Sequence, residues 1–282
     1  MLDVPVALVL AAILSGQAPA VAPVATPVDR AFVRLYNFDF AGAHAALDDS
    51  ARSDPGNPLT FSVRAAAYLF TELDRLRILE FKFFMNDDTV IGARPLTPDP
   101  SLRTRLFNAI GEARRLAGAR LATSPRDQNA LFALCMSASV VTDYTGLVEG
   151  RHWRSVGLAR ETKKYADKLL AFDPPFYDAY YTCGTMEYVV GSLPFFVRWF
   201  VRYDRVEGNK RLGIEQLKLV AHHGRYYGPF ARILLAVISI REGKAEEAEK
   251  LLVELSREFP ENPLLKKEAA RAGALARRRR KP

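Results

Sequence analysis

Apolar residues recur at helical spacing through most of the chain, and no stretch alternates with period two for long enough to build a sheet. Helix-length segments separated by short turns rich in proline, glycine, aspartate and asparagine therefore predict an all-α fold. The segments fall into pairs. Residues 28–37 and 41–53 make the first, closed by Ser53-Asp54-Pro55-Gly56-Asn57-Pro58. From Leu59 an unusually long helix is predicted to about Phe84, and Ser101, an N-cap residue type, opens its partner over 101–123. Between them, 86–100 reads as a loop with three prolines. Residues 127–144 pair with 156–172, and 177–190 with 206–223, the latter stopped by Gly224. A fifth pair starts at Tyr227 and turns at Gly243. Glu246, Glu247 and Glu249 stand in the first turn of its second helix, where the helix dipole favours acid. A last helix, 263–277, carries Lys266, Lys267, Glu268 and Arg271 as the polar outer side that a terminal cap needs.

A second regularity links the pairs. Ala43, Leu47 and Pro55 are spaced as Ala248, Leu252 and Pro260 are; Ala113, Ala117 and Pro125 repeat the spacing, and Thr162, Ala166 and Pro174 keep it with a larger first residue. A small residue lets two helices approach closely, and proline ends a helix by withholding its amide and crowding the preceding turn. In the fifth pair, Arg232, Leu235, Ala236 and Ser239 stand where the W-x2-L-G-x2-Y pattern of a tetratricopeptide repeat falls, and Ala248, Leu252 and Pro260 match its A-x3-F…P part. The stretch 227–263 thus resembles that repeat family. The resemblance implies a superhelical array of about five such hairpins with a C-terminal capping helix. The helix-end signals Pro55, Pro125, Pro174, Gly224 and Pro260 are 70, 49, 50 and 36 residues apart. Only the last interval approaches the 34-residue period, so the array is degenerate. Gly191-Ser192-Leu193-Pro194-Phe195-Phe196, followed by 205–217 and the last repeat, is similar to an arrangement in the inclusion-body-clearance family of tetratricopeptide proteins. That similarity implies an adaptor without catalytic residues.

Charge changes this picture less than the totals suggest. The net charge is +8, but Arg271, Arg277–Arg280 and Lys281 supply six of those charges within the last dozen residues. The body is close to neutral and gives no nucleic-acid footprint; the tail reads as a solvated end or as a contact for an anionic surface. Residues 4–14 form an apolar run too short to span a bilayer and of the length of a secretory h-region, followed by the small-residue site Ala18-Pro19-Ala20. A cut after Ala20 divides the chain into a signal peptide (1–20), a spacer (21–27), a helical-repeat domain (28–276) and a basic tail (277–282). Asp3 stands where the leader should be basic, so an uncleaved leader or a misassigned start stays open. Gln17 occupies the place of a lipobox cysteine, which removes a lipid anchor and leaves a soluble periplasmic or secreted protein.

Candidate chemistry is sparse. Asp87-Asp88 lies in a polar loop, which supplies neither burial nor a partner to tune a general acid or base. His222-His223 closes a helix, where imidazolium suits the carbonyl end. No metal-ligand spacing, glycine-rich phosphate loop or cofactor motif is present, and the expectation is a non-enzyme without cofactor. By the resemblance, Phe132 and Met136, Tyr181 and Tyr188, and Phe230, Ile233 and Val237 fall on first helices that line the concave face. They read either as a groove wall for a peptide or apolar ligand, or as core. No Lys/Asn/Arg clamp for a terminal carboxylate accompanies them. The dense apolar segment 193–203, with Phe195, Phe196, Arg198, Trp199, Phe200 and Arg202, reads as a packed helix, an interfacial membrane contact or a docking patch for a protein partner. Cys135 and Cys183, at equivalent points of two first helices, are expected as buried free thiols. The function these features favour is an exported scaffold that binds a protein or peptide in the cell envelope. The alternative is a periplasmic component holding a small apolar ligand or lipid, in outline like the tetratricopeptide subunits that accompany some solute transporters.

Overall fold

The computed structural model describes residues 25–81, 96–192 and 208–280. Among them are eleven α-helices and no strand. In chain order they are α1 Pro27–Tyr36, α2 Phe40–Ser53, α3 Pro58–Arg75, α4 Pro100–Thr123, α5 Gln128–Asp143, α6 His152–Leu170, α7 Tyr180–Ser192, α8 Lys210–His223, α9 Gly228–Arg241, α10 Ala245–Glu258 and α11 Pro263–Arg280. A π-turn, Tyr144–Val148, follows α5, and a 3-10 turn, Tyr177–Ala179, precedes α7. Helices adjacent in the chain pack on one another, and α3 pairs with α4. The expected leader, Asp87 and Asp88, and the segment holding Phe195, Phe196, Arg198, Trp199, Phe200 and Arg202 lie outside the described residues.

Short polar acceptors set most helix starts. Thr26 and Asp29 form a capping box at α1, and Asp39, Asn57, Asp127 and Asn209 each accept an amide of the first turn they precede. The cap of α4 is Asp99, which takes the amides of Ser101 and Leu102 at 2.7 and 3.1 Å; Ser101 is already inside the helix. Three helix ends share one device. After α1, α3 and α9, the residues Phe38, Arg77 and Gly243 adopt φ of 63°, 58° and 83°. The following amides reach back to the third-last carbonyl: Asp39 to Arg34, Ile78 to Leu73, Lys244 to Ser239. The turn at Gly243 is the expected one. The turn at Arg77 ends the helix that apolar spacing had extended to Phe84, because buried Ile78 folds back over Leu73. Glu72, 1% exposed, holds the same corner: it binds Arg75 through both oxygens and accepts the amide of Asp99 at 2.8 Å. Elsewhere α6 starts before the expected 156, α8 after 206, and the helical backbone of α11 runs through Arg277–Arg280.

Counting back from each helix cap exposes the shared register. The residues eleven and seven before the caps Asp54, Ser124, Gly224 and Phe259 are Ala43 and Leu47, Ala113 and Ala117, Gly213 and Leu217, and Ala248 and Leu252. All eight are buried. The fourth pair therefore obeys the pattern once its cap, rather than a proline, is the reference. In α6 the helix ends at Leu170, short of Pro174, yet Thr162 and Ala166 remain the buried pair. Helix α5 lies at the centre, against α3, α4 and α6, with every residue from Ala130 to Ala138 buried. Gln128–Val148 is long and apolar enough to cross a membrane by length and composition, but 72% of its most apolar 18-residue window is buried inside the protein. Ser62 of α3 donates to the carbonyl of Ala133 at 2.8 Å and lies 3.0 Å from the Ser137 hydroxyl, satisfying the polar atoms at that contact.

The two ends of the chain meet. The Tyr36 hydroxyl donates to the carbonyl of Tyr226 at 2.6 Å, and the Asn262 side-chain amide donates to the carbonyl of Tyr36 at 2.8 Å. Glu261 donates its backbone amide to the Asn37 side-chain oxygen, and Arg225 pairs with Asp29 at 3.0 Å. Lys267 lies 3.6 Å from Glu80.

The tightest helix contact is between α7 and α8. A Cβ placed on Gly213 would stand 2.6 Å from the Gly184 carbonyl oxygen and 2.7 Å from the Tyr188 nitrogen. On the facing helix, a Cβ on Gly184 would stand 2.9 Å from the Gly213 carbonyl oxygen. Gly213→Ala is expected to destabilise the protein by about 1–3 kcal/mol through overpacking. Gly111→Ala, where nothing lies within 4 Å of the new methyl, should leave stability unchanged or raise it. Urea unfolding of the two variants checks this; equal midpoints would remove the glycine contact as the determinant.

Candidate functional site

The joined ends enclose aromatic rings from five helices. Phe70 of α3 stacks on Phe230 of α9 at 5.1 Å, and Tyr36 of α1 meets Phe230 at 4.7 Å and Phe259 at 5.0 Å. Phe132 of α5 stacks on Tyr226 at 5.5 Å and meets Tyr227 edge-on at 5.4 Å. Tyr181 of α7 lies 5.2 Å from Tyr227 and 6.4 Å from Phe230. Such tilted and edge-on pairs are the arrangements that ring quadrupoles favour.

One buried carboxylate positions the centre of this assembly. Asp178, 3% exposed, accepts the backbone amides of Arg225, Tyr226 and Tyr227 at 2.9, 2.8 and 2.6 Å. It thereby caps the turn that leads into α9. Burial is the largest influence on its pKa and raises it, against the opposing pull of the three amide donors.

Of the seven residues expected on the concave face, Phe132, Met136, Tyr188 and Val237 are buried, while Tyr181, Phe230 and Ile233 are half-buried. The structure brings Phe132, Tyr181 and Phe230 into one ring cluster. Tyr188 goes elsewhere, into a separate apolar cluster with Leu217, Val220, Ala231, Leu235 and Ile238. An open wall of these seven side chains is therefore not what forms. Closing the chain on itself turns Phe132 and Met136 into core.

Part of the ring cluster stays accessible. Phe70, Tyr181, Tyr227, Phe230 and Ile233 all keep part of their surface exposed, and Asp143, the last residue of α5, is exposed. Yet desolvation raises the Asp143 carboxyl pKa to about 7, and its charge acts on the hydroxyls of Tyr181 and Tyr227. Asp143 makes no hydrogen bond or ion pair among the described residues. Burial also pushes the Tyr181 and Tyr227 hydroxyls above the usual tyrosine range. The residues that sequence reasoning missed are Tyr36, Phe70, Tyr226, Tyr227, Asp178 and Asp143. One signal was available: Asp143 is the lone charge within the apolar stretch Gln128–Val148.

The two cysteines and the His222–His223 pair are accounted for by packing. Cys135 and Cys183 are free and buried, and burial pushes their thiols up to about 12 and about 11. The Cys135 thiol points at the Thr162 carbonyl, 3.6 Å away. His222 Nδ1 lies 2.8 Å from the Lys218 carbonyl oxygen, and His223 packs on the Tyr177 ring at 4.8 Å. Among the described residues no group of three His, Cys, Asp or Glu could hold a metal ion. On the outer side, a shallow hollow of about 420 Å³ is lined by Tyr180, Leu212, Gln216, Leu219, His222 and His223, among others. No family model matches the chain, and no curated protein or solved structure shows significant similarity to it.

The Asp143 carboxyl makes stability depend on pH in a defined direction. Its folded-state pKa, about 7, is above the ordinary 3.8, so the folded state holds the proton more tightly. The contribution favouring folding is full below about pH 4 and is lost as pH rises through 7. Asp143→Asn, neutral throughout, should melt progressively higher than the natural protein as pH goes from 4 to 8, with no further divergence above 8. Parallel melting curves at all pH values would show that Asp143 ionises without strain.

Proposed function

We propose that this protein is an exported, non-catalytic binding protein built on a degenerate tetratricopeptide-type array, and that the partly accessible rings of Tyr181, Tyr227 and Phe230 hold a small apolar ligand. The array reading is supported by the cap-aligned register of small and apolar residues and by the recurrent turn at Phe38, Arg77 and Gly243. The ligand reading is carried by one observation: the first hairpin closes on the last, through Tyr36, Tyr226 and Asn262. A peptide laid along a concave face needs an open trough. A ring cluster turned inward, with part of each ring accessible, suits a compact apolar guest instead. Asp143 has no nucleophile or second carboxylate in hydrogen-bonding reach among the described residues, which favours binding over catalysis.

A protein partner is the second reading, and a different surface favours it. Leu212 and Leu219 are 44% and 39% exposed on one face of α8, beside Tyr180. Residues seven apart share a helix face, so they form a short apolar stripe that a partner could cover. The export reading rests on the apolar run 4–14 and on Ala18-Pro19-Ala20.

Titration with the neutral apolar fluorophore N-phenyl-1-naphthylamine should show saturable binding near one equivalent. Ile233→Trp, which adds bulk at the half-buried Ile233 one turn from Phe230, should weaken it without lowering the melting temperature by more than a few degrees. Absence of saturable binding by a folded protein would overturn the ligand reading. N-terminal sequencing of the protein from its native host should begin at Val21; an intact Met1 would overturn export by cleavage.

A further inference from the structure

We infer that the outer face of α6 is a contact for an anionic lipid surface, with Trp153 seated at headgroup depth and a strip of basic side chains lying along the phosphates. The inference is carried by this helix and is independent of the ligand reading above.

Three observations support it. The first is the face itself. Thr162, Lys163, Ala166 and Leu169 are the buried residues of α6, which packs on α5. At 3.6 residues per turn they share one side of the helix. Trp153, Gly157, Arg160, Lys164 and Lys168, all exposed, fall opposite them within an arc of about 80°. The strip runs about 22 Å along the helix, a geometry that can lie flat on a plane. The second is the tryptophan. Trp153 is 71% exposed, more than any other large hydrophobic among the described residues, and its indole takes part in no aromatic or cation–ring pair among them. Indole is amphipathic and concentrates where headgroups meet acyl chains. The third is charge. The acids at this face, Glu161 and Asp167, already pair with Arg114 at 3.2 Å and with Lys163 at 2.7 Å. Arg154, at the edge of the face, and Lys164 have no ion pair among the described residues, and Lys168 lies over the Tyr165 ring at 5.9 Å. A face whose acids are neutralised and whose cations stand in water attracts anions.

Among anionic partners, a bilayer fits these features best. Lysine is depleted where proteins dock on proteins, but it is drawn to anionic headgroups. A single indole at one end of the strip offers no row of rings on which successive bases could stack. The tail at Arg277–Arg280 is more basic, yet α11 has no aromatic residue to enter an interface.

Vesicle flotation and tryptophan emission of the mature chain test this. The chain has two tryptophans, so Trp199→Phe leaves Trp153 as the sole reporter. On phosphatidylcholine vesicles with about 30% phosphatidylglycerol the protein should float and its emission should shift to the blue. On phosphatidylcholine alone, or in about 0.5 M NaCl, it should do neither. One basic side chain at such a surface is worth about fivefold in affinity, so replacing Arg154, Lys164 and Lys168 together by glutamine should weaken binding about tenfold or more. These sites are exposed, so the melting temperature should not move. Trp153→Ala should weaken binding several-fold in the natural background. Absence of vesicle binding by the folded protein would overturn the inference. Binding with the Trp153 emission unmoved, or undiminished in the triple variant, would also overturn it, since another segment would then make the contact. Capture of poly(U) RNA without vesicle binding would overturn it in favour of a nucleic acid.

Discussion

The three amides that converge on Asp178 fix more of this protein than any other single contact. The carboxylate belongs to the turn before α7, and the amides belong to the turn before α9, 47–49 residues further on. Holding Arg225, Tyr226 and Tyr227 in one tight turn aims each at a different task. Arg225 reaches out to Asp29, Tyr226 offers its carbonyl to the Tyr36 hydroxyl, and Tyr227 turns its ring toward Tyr181 and Phe132. Burial penalises the charge on Asp178, but the turn supplies three donors in return, and unsatisfied amides at a buried helix start would cost about 1–3 kcal/mol each.

Through that turn the chain ceases to be an open stack. A repeat array is ordinarily quasi-one-dimensional: each unit touches its neighbours, and the ends fray first. Here hydrogen bonds join residues 190 and 226 positions apart. The first hairpin is thus tied to the last, and loss of either exposes apolar rings of the other. Closure also decides the fate of the inner face. Inward-facing rings become each other's packing partners, and Phe70, Tyr181, Tyr227 and Phe230 keep only part of their surface accessible.

Local features of this fold were legible in the sequence, because caps, turns and the 3.6-residue period act over a few residues. Asp127 and Gly224 bound their helices as read, Gly243 turns the last hairpin, and Ala43, Ala113 and Ala248 are buried at the predicted register. The misreadings share a cause. The helix after Leu59 stops at Arg75 because Arg77 takes a left-handed turn usually given to glycine, so composition offered no stop signal. Asp99 rather than Ser101 caps α4, a choice between adjacent acceptors that spacing cannot make. The site suffered more. Its polar determinants pair across long stretches of chain, as Asp178 does with the turn before α9, and periodicity carries no record of such partners. The seven residues expected on first helices read either as groove wall or as core; Phe132, Met136, Tyr188 and Val237 are buried and Tyr181, Phe230 and Ile233 half-buried.

Asp178 and Asp143 make the clearest contrast in the molecule. Both are carboxyls in protein surroundings, and in both desolvation raises the pKa. Asp178 has three donors and an evident structural purpose. Among the described residues Asp143 has none, and the next residue, Tyr144, is buried with its ring against Phe107. Across the start of the π-turn an exposed acid is thus followed by a core residue. Turns of this kind interrupt regular helices at some cost and occur often at functional sites.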